Sequence, residues 1–493
     1  MENLPFDPAA YEVKTCTLEN NTIEYRAFEG LSYCTRPEDP IQVLNLFAPE
    51  AFYRGESING YDLHTAPIFV LNQVGGYMPG PAGVPGPNRN GRGINIIFKC
   101  LAHGYVVAAV GVRGRTSGTK SNEIFEGGAI RKEEAVSDHF TGKAPALIVD
   151  MKAAIRFLRF HQDRIPGDTE KMVTDGISAG GALSALVGVT GNSPDYEPYL
   201  KAIGALEGRD DIFAASCYCP IHNLEHADMA YEWEFCGIWD FHRTKHVIQD
   251  GQDVKVPFVG ELTEAERENS KALKALFPDY VNSLGLKAPD GMLLTMEPDG
   301  TGSFQDYVIS LLVASAQHEV ETRQSRQGGM AERAIDAVPE ELDCLTVEDG
   351  KVTGVDWEGY LRFITRMKNV PAFDALDLSS PENGEFGTAA IPARHFTAFA
   401  MEHSTAEGAQ MAEAQVVKML NPVEYIGKAD TARHWRVRHG AADRDTSMAI
   451  PTILALMLRN RGFDVDFRFP WAMPHSGDYD LPELFAWVDS LVK

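Results

Sequence analysis

The stretch Gly176-Ile177-Ser178-Ala179-Gly180 constrains this chain more than any other. Upstream, residues 171–175 read as the end of a short strand; downstream, residues 181–187 read as a helix whose first turn is built of small residues. A strand that passes into a helix through G-x-S-x-G turns so sharply that the serine is strained and its Oγ is pushed outward. Glycines two positions either side keep side chains clear of the neighbouring strand and helix. This context favours a nucleophile over an ordinary Gly-rich helix start.

A nucleophilic serine needs a base and a group to orient it. Residues 434–439 read as a strand, and Gly440-Ala441-Ala442-Asp443-Arg444-Asp445 as the loop after it. A helix is predicted over 446–460, with Gly462 behind it as a C-cap. The alternating run 463–469 is the next strand. It delivers Pro474-His475-Ser476-Gly477-Asp478 into a loop before a last helix, 481–492. Ser, then Asp, then His, with the carboxylate after one late strand and the histidine after the next, is the chain order of an α/β-hydrolase. Ser178 is therefore the candidate nucleophile, His475 the general base and then acid, and Asp443 the group that fixes the imidazole tautomer. His439 is the nearest rival base, but inside a strand it would point from the sheet. Asp445 is the rival orienter.

The oxyanion hole is expected from the backbone N–H of Ala179 and one from the loop after the predicted strand 68–72. Gly76, in Val74-Gly75-Gly76-Tyr77, is the first choice and Gly75 the second; a plain flexible turn is the alternative. The stretch lacks G-K-[ST], which argues against a phosphate loop.

With 493 residues the chain exceeds one hydrophobic core, so two substantial parts are expected. Seventy acidic against 45 basic residues, a formal charge of −25, argue against nucleic acid or an anionic membrane as partner. The first residues lack the basic and apolar regions of a secretory signal, and no apolar run is long enough to span a bilayer. The seven cysteines suggest no disulfide framework, and Cys217 and Cys219 read as buried thiols on one strand face. A cytoplasmic protein is expected.

Strands are predicted at 105–112 and 213–218, with an amphipathic helix at 144–161 before the elbow. Beyond 218 the pattern turns helical, at 263–276, 302–323 and 356–367, and the core signal resumes near His395. The expected fold is an α/β-hydrolase core, a mostly parallel doubly wound sheet, formed by 1–224 and 395–493. A large, mainly helical lid, 225–394, is inserted into it. His222-Asn223-Leu224-Glu225-His226 fits the zinc motif H-x-x-E-H, but it follows a strand end, and no third ligand stands out, so a loop lining the site is favoured.

Taken together, Val74-Gly75-Gly76-Tyr77, the elbow, residues 438–447 and residues 474–480 resemble bacterial tannases of the intracellular, tannin acyl hydrolase type, over most of the chain. The last two stretches are the most specific. The resemblance implies that Lys368, Glu382 and Asp445 hold the three galloyl hydroxyls, and that Ile221 and Pro381 sandwich the aromatic ring. It implies a serine esterase that cleaves galloyl esters of small molecules without a cofactor. A feruloyl-type esterase or a serine peptidase on the same fold is the alternative; a zinc hydrolase and a catalytically dead hydrolase used for adhesion are more distant ones.

Overall fold

The computed structural model describes residues 4–88, 93–118, 123–126, 129–132, 139–249, 252–322 and 337–493. The expected helix position Arg323 lies outside them. A nine-stranded sheet organises the molecule. Its strands are β1 (Glu12–Leu18), β2 (Asn21–Ser32), β3 (Val43–Pro49), β4 (Pro67–Asn72), β5 (Val106–Val110), β6 (Asp168–Ile177), β7 (Ala214–Tyr218), β8 (His434–Arg438) and β9 (Asp464–Arg468). In space they run β1-β2-β3-β5-β4-β6-β7-β8-β9. β1, β2 and β3 are antiparallel, and everything from β5 to β9 is parallel.

Sequence explains this division. Val-Val-Ala-Ala-Val in β5 and Ala-Ala-Ser-Cys-Tyr in β7 are buried at every position, as strands covered by helices on both faces must be. β1 instead alternates between exposed and half-buried residues at the solvent edge. Glu19 and Asn20, both at positive φ, turn it tightly into β2. The elbow helix, Ala179–Val189, approaches the sheet closely because Gly188 lies under Trp435, where an added Cβ would come within 2.5 Å of the indole.

Between β7 and β8 come the helices Leu224–Phe235, Glu264–Ser283, Ser303–Thr322, Trp357–Ile364 and Pro381–Glu385, then the short Ala398–Glu402 and Ala414–Met419. Two hairpins, Asp240–Gln249 with Gln252–Glu261 and Leu345–Glu348 with Lys351–Val355, were not expected from the sequence. Thr263 caps its helix reciprocally with Glu266, a signal visible in the sequence. The helix expected to run to 367 ends at Ile364, because Thr365 takes φ 58° and turns the buried Arg366 inward onto Glu232 at 2.7 Å.

The Leu224–Phe235 helix joins this insertion to the sheet. Asp228 accepts the backbone N–H groups of Phe373 and Asp374, at 2.7 and 3.0 Å. Glu234 accepts Ser447 Oγ and the Met448 N–H, at 2.7 and 2.8 Å. That second contact is why the next helix begins at Ala449 and not at Thr446: the preceding residues are held by Glu234 instead of an α-turn. Trp233 packs on Phe277, Phe304 and Trp357, and one continuous cluster of buried side chains runs from β6 through these rings. Among the described residues no helix is long and apolar enough to cross a membrane.

Candidate active site

At the end of β6, Ser178 stands at φ 63° and ψ −126°, a conformation that L-residues avoid. The flanking glycines are demanded by space. A Cβ on Gly176 would sit 2.2 Å from the Gly180 carbonyl oxygen, and one on Gly180 would sit 2.6 Å from Asn72 Oδ1. The turn is held by its backbone: Ser178 N–H donates to Tyr218 O at 3.0 Å, and Ser178 O accepts from Ala182 at 2.9 Å and Ile221 at 3.3 Å. Ala179 is the first residue of the helix, where N–H groups lack intrahelical partners and carry the positive end of the dipole.

His475 Nδ1 donates to Asp443 Oδ2 at 2.7 Å, and Asp443 Oδ1 accepts the Asp445 N–H at 2.8 Å. Glycines bring these loops together. A Cβ on Gly440 would meet Met473 O at 2.1 Å, and one on Gly477 would meet Ile177 Cγ1 at 2.5 Å. The histidine loop therefore lies directly against the residue before the serine. Burial opposes a charged imidazole, but the Asp443 carboxylate outweighs it, with Cys219 and Asp445 adding to the effect, and holds His475 well above the usual histidine range. Burial likewise works against the Asp443 charge, and His475 with His439 keeps that carboxyl below its ordinary value.

Gly76 lies at φ 55° on the loop after β4, and its carbonyl accepts Arg115 Nε at 3.0 Å. Tyr77 next to it, also at positive φ, donates its hydroxyl to Ile221 O at 2.7 Å. The loop is thus tied to the segment that follows β7, and both border the elbow.

Lys368 and Glu382 come from two different parts of the insertion. Lys368 Nζ lies 3.9 Å from the centre of the Phe373 ring. Glu382 is buried on the short helix Pro381–Glu385, whose first residue, Pro381, is exposed. Burial pushes the Glu382 carboxyl up; Lys368 and Arg115 pull it down, and Asp445 pushes it up again. Ile221 is buried.

Other groups resolve differently from the sequence reading. His439 lies just beyond β8, fully buried, with Nδ1 3.6 Å from Asp443 Oδ2, and burial lowers its pKa to about 4. It is a neutral ring beneath the carboxylate. His222 precedes the Leu224–Phe235 helix, whereas His226 lies within it, stacked on Tyr280 with ring centres 3.7 Å apart. The two do not share a helix face as the zinc motif requires. Cys217 is buried in β7, but Cys219 lies past the strand end at φ 37°. Its Sγ is 3.9 Å from His475 Nε2 and 3.4 Å from Ser476 O, a contact with the base that strand periodicity could not reveal. Cys219, Asp443 and His475 place three possible metal-ligand atoms within 4.8 Å, yet each is already engaged in this hydrogen-bonded chain.

A second Ser-His-Asp arrangement lies in the residues after Lys368. Asp374 Oδ1 takes His395 Nδ1 at 2.6 Å, and His395 Nε2 is 2.8 Å from Ser404 Oγ. Here Asp374 also accepts Asn383 Nδ2 at 2.7 Å and the Phe396 and Thr397 N–H groups. Ser404 follows a short helix, not an elbow. The arrangement is a staple that fixes the turn carrying Glu382.

The chain as a whole is similar to known proteins. The tannase of Lactobacillus plantarum is 46% identical over 100% of both chains, with a TM-score of 0.89. A tannin acyl hydrolase solved in complex with ethyl gallate is 46% identical over 99% of both chains, with a TM-score of 0.87. The BD-FAE family model matches residues 136–283. Esterase LipC of Mycobacterium tuberculosis is 29% identical over 163 residues, which span 33% of this chain and only 30% of LipC. Full-length identity at this level, on one shared fold, places the chain in the bacterial tannase family, carboxylic-ester hydrolases of the α/β-hydrolase fold.

Proposed function

We propose that the protein hydrolyses galloyl esters through Ser178, His475 and Asp443. Ser178 Oγ attacks the ester carbonyl while His475 Nε2 takes its proton. The oxyanion rests on the N–H groups of Ala179 and Gly76, as the helix start and the open loop after β4 allow. Collapse of the intermediate breaks the ester C–O bond, and His475 returns the proton to the leaving alcohol. Water, deprotonated by the same ring, then releases gallate from the acyl-serine.

One observation carries the choice of acyl group. Asp445 exerts its field on His475 and on buried Glu382 at once, and Lys368 exerts its own on Glu382. Two carboxylates and an ammonium within electrostatic reach of one another are a set suited to three adjacent phenols: carboxylates accept from them, and the ammonium favours a developing phenolate. Ile221 and Pro381 would flank the ring, and residues 225–394 would act as the lid that supplies Lys368 and Glu382. The relative bound to ethyl gallate supports the same class of substrate.

Methyl gallate, protocatechuate, benzoate and ferulate esters, with a peptide substrate, test this reading. Each phenol removed leaves a buried partner unpaired at a cost of roughly 1–3 kcal/mol. Methyl benzoate should therefore fall below gallate by a factor on the order of 10²–10⁴ in kcat/KM. Equal rates on gallate and benzoate would discard the galloyl reading, and a preference for ferulate or peptide would replace it.

A further inference from the structure

Tyr231 is fully buried on the Leu224–Phe235 helix, and its single hydroxyl makes three hydrogen bonds. It accepts the backbone N–H of Met367 at 3.1 Å and of Lys368 at 3.2 Å, and it donates to the carbonyl of Arg444 at 3.0 Å. Lys368 is one of the groups assigned to the phenols, and Arg444 immediately precedes Asp445, another. The ring of the same tyrosine stands edge-on to Phe373, with centres 6.3 Å apart, and Phe373 carries the Lys368 ammonium over its face. We propose that Tyr231 is the positioning residue that sets the spacing between Lys368 and Asp445, and thereby the selectivity of the site for hydroxylated acyl rings.

The inference rests on the galloyl reading above and adds how the pocket is held to size. Lys368 comes from the insertion and Asp445 from the loop after β8, so their separation is not fixed by one secondary-structure element. Arg366 Nε also donates to Lys368 O, at 3.0 Å, but it pairs with Glu232 on the same helix and makes no bond to the Asp445 loop. The Tyr231 hydroxyl bonds directly to both segments. Two donors and one acceptor use all its capacity, and burial keeps the phenol protonated by pushing its pKa up.

Tyr231→Phe removes the oxygen and keeps the ring. The expected result is a loss of roughly tenfold in the gallate-to-benzoate ratio of kcat/KM, borne mainly by KM for gallate, since it removes positioning worth about one or two hydrogen bonds. Benzoate turnover should fall far less, which a general weakening of the fold would not produce. If the tyrosine acts through Lys368, adding Tyr231→Phe to Lys368→Met should change the ratio by much less than it does alone. Should Tyr231→Phe fail to fold, 3,5-difluorotyrosine at position 231 keeps the shape and weakens the oxygen as an acceptor; the ratio should shift in the same direction. An unaltered ratio in a folded variant, in an enzyme whose wild type prefers gallate, overturns the proposal. A wild type without that preference overturns the galloyl reading instead.

Discussion

Asp443 and Asp445 share one anchor: the carboxylate that receives the His475 N–H on one oxygen receives the Asp445 backbone N–H on the other, at 2.8 Å. The two aspartates, though assigned different tasks, are coupled through this bond. Asp445→Asn should lower turnover of gallate esters far more than that of benzoate esters, because it changes the carboxylate assigned to the phenols, keeps the backbone N–H bonded to Asp443, and removes only a minor part of the field on His475. Asp443→Ala should slow every ester by a factor on the order of 10⁴, as loss of the correct tautomer does. It should also raise KM for gallate, since the Asp445 loop loses its acceptor. Steady-state constants on both esters check this. An Asp443→Ala enzyme with slowed kcat and unmoved gallate KM would show that the bond does not position Asp445.

The His475–Asp443 pair also sets the response to pH. Catalysis needs the neutral imidazole, while the Asp443 charge stabilises the protonated one, so the acid limb of kcat/KM should lie above the ordinary histidine value of about 6.5. Asp443→Asn removes that charge and should move the limb down, even as the plateau falls. The stability sign follows from the same shift. A histidine raised on folding contributes stability that is complete below its unfolded pKa and is lost as pH rises through the folded one. The wild-type advantage in Tm over Asp443→Asn should therefore shrink between neutral and alkaline pH. A limb that stays in place in the variant would mean that another group titrates.

Local chemistry made much of this molecule legible in advance. The elbow, the loops at Asp443 and His475, and the last helix each carry their own geometric demand in a few adjacent residues, and the final helix, Leu481–Val492, has the expected bounds. What escaped was set by distant partners. Cys219 reads as a strand residue until the positive φ at the strand end turns its thiol toward His475. Tyr231 and Asp228 look like ordinary helix positions, since their partners lie more than a hundred residues away in sequence. In the hairpin strands Asp240–Gln249 and Gln252–Glu261 only 254–258 alternate clearly, and Pro257 inside that run argues against a strand.

The buried pair Glu232–Arg366 makes a stability prediction. Both side chains are fully buried, and the arginine also donates to Lys368 O and Ile238 O. Removing one partner leaves an unpaired charge in the interior, so Arg366→Met should destabilise by about 3–5 kcal/mol. The double change Glu232→Leu with Arg366→Met should recover part of that loss, because no charge remains uncompensated. Chemical denaturation of the three variants measures it. If the double variant were as unstable as the single one, the hydrogen bonds to Lys368 and Ile238 would outweigh the pairing.

Gly477 offers a test of how closely the base must be held. Its α-carbon faces Ile177 and Tyr218, and a Cβ there would come within 2.5 Å of Ile177 Cγ1 and 2.9 Å of Tyr218 Cβ. Tyr218 cannot retreat, and Ile177 can yield only by turning its side chain. Ile177 is the last residue of β6, and Tyr218, in the adjacent strand, is bonded through its hydroxyl to Asp480 and Arg436. Gly477→Ala must therefore lift the loop that carries His475, two residues away, off the elbow. Displacements near 1 Å at a reacting group cost about 10²-fold in rate. The variant should lose roughly that much kcat on gallate and benzoate esters alike, while overpacking at a single site lowers stability by only about 1–3 kcal/mol. Gly462→Ala is the control: its strain is in the backbone, at φ 84°, with nothing within 4 Å of the added methyl, so it should lose stability without losing turnover. If both variants lost activity in proportion to stability, contact between the His475 loop and the elbow would not be what sets the rate.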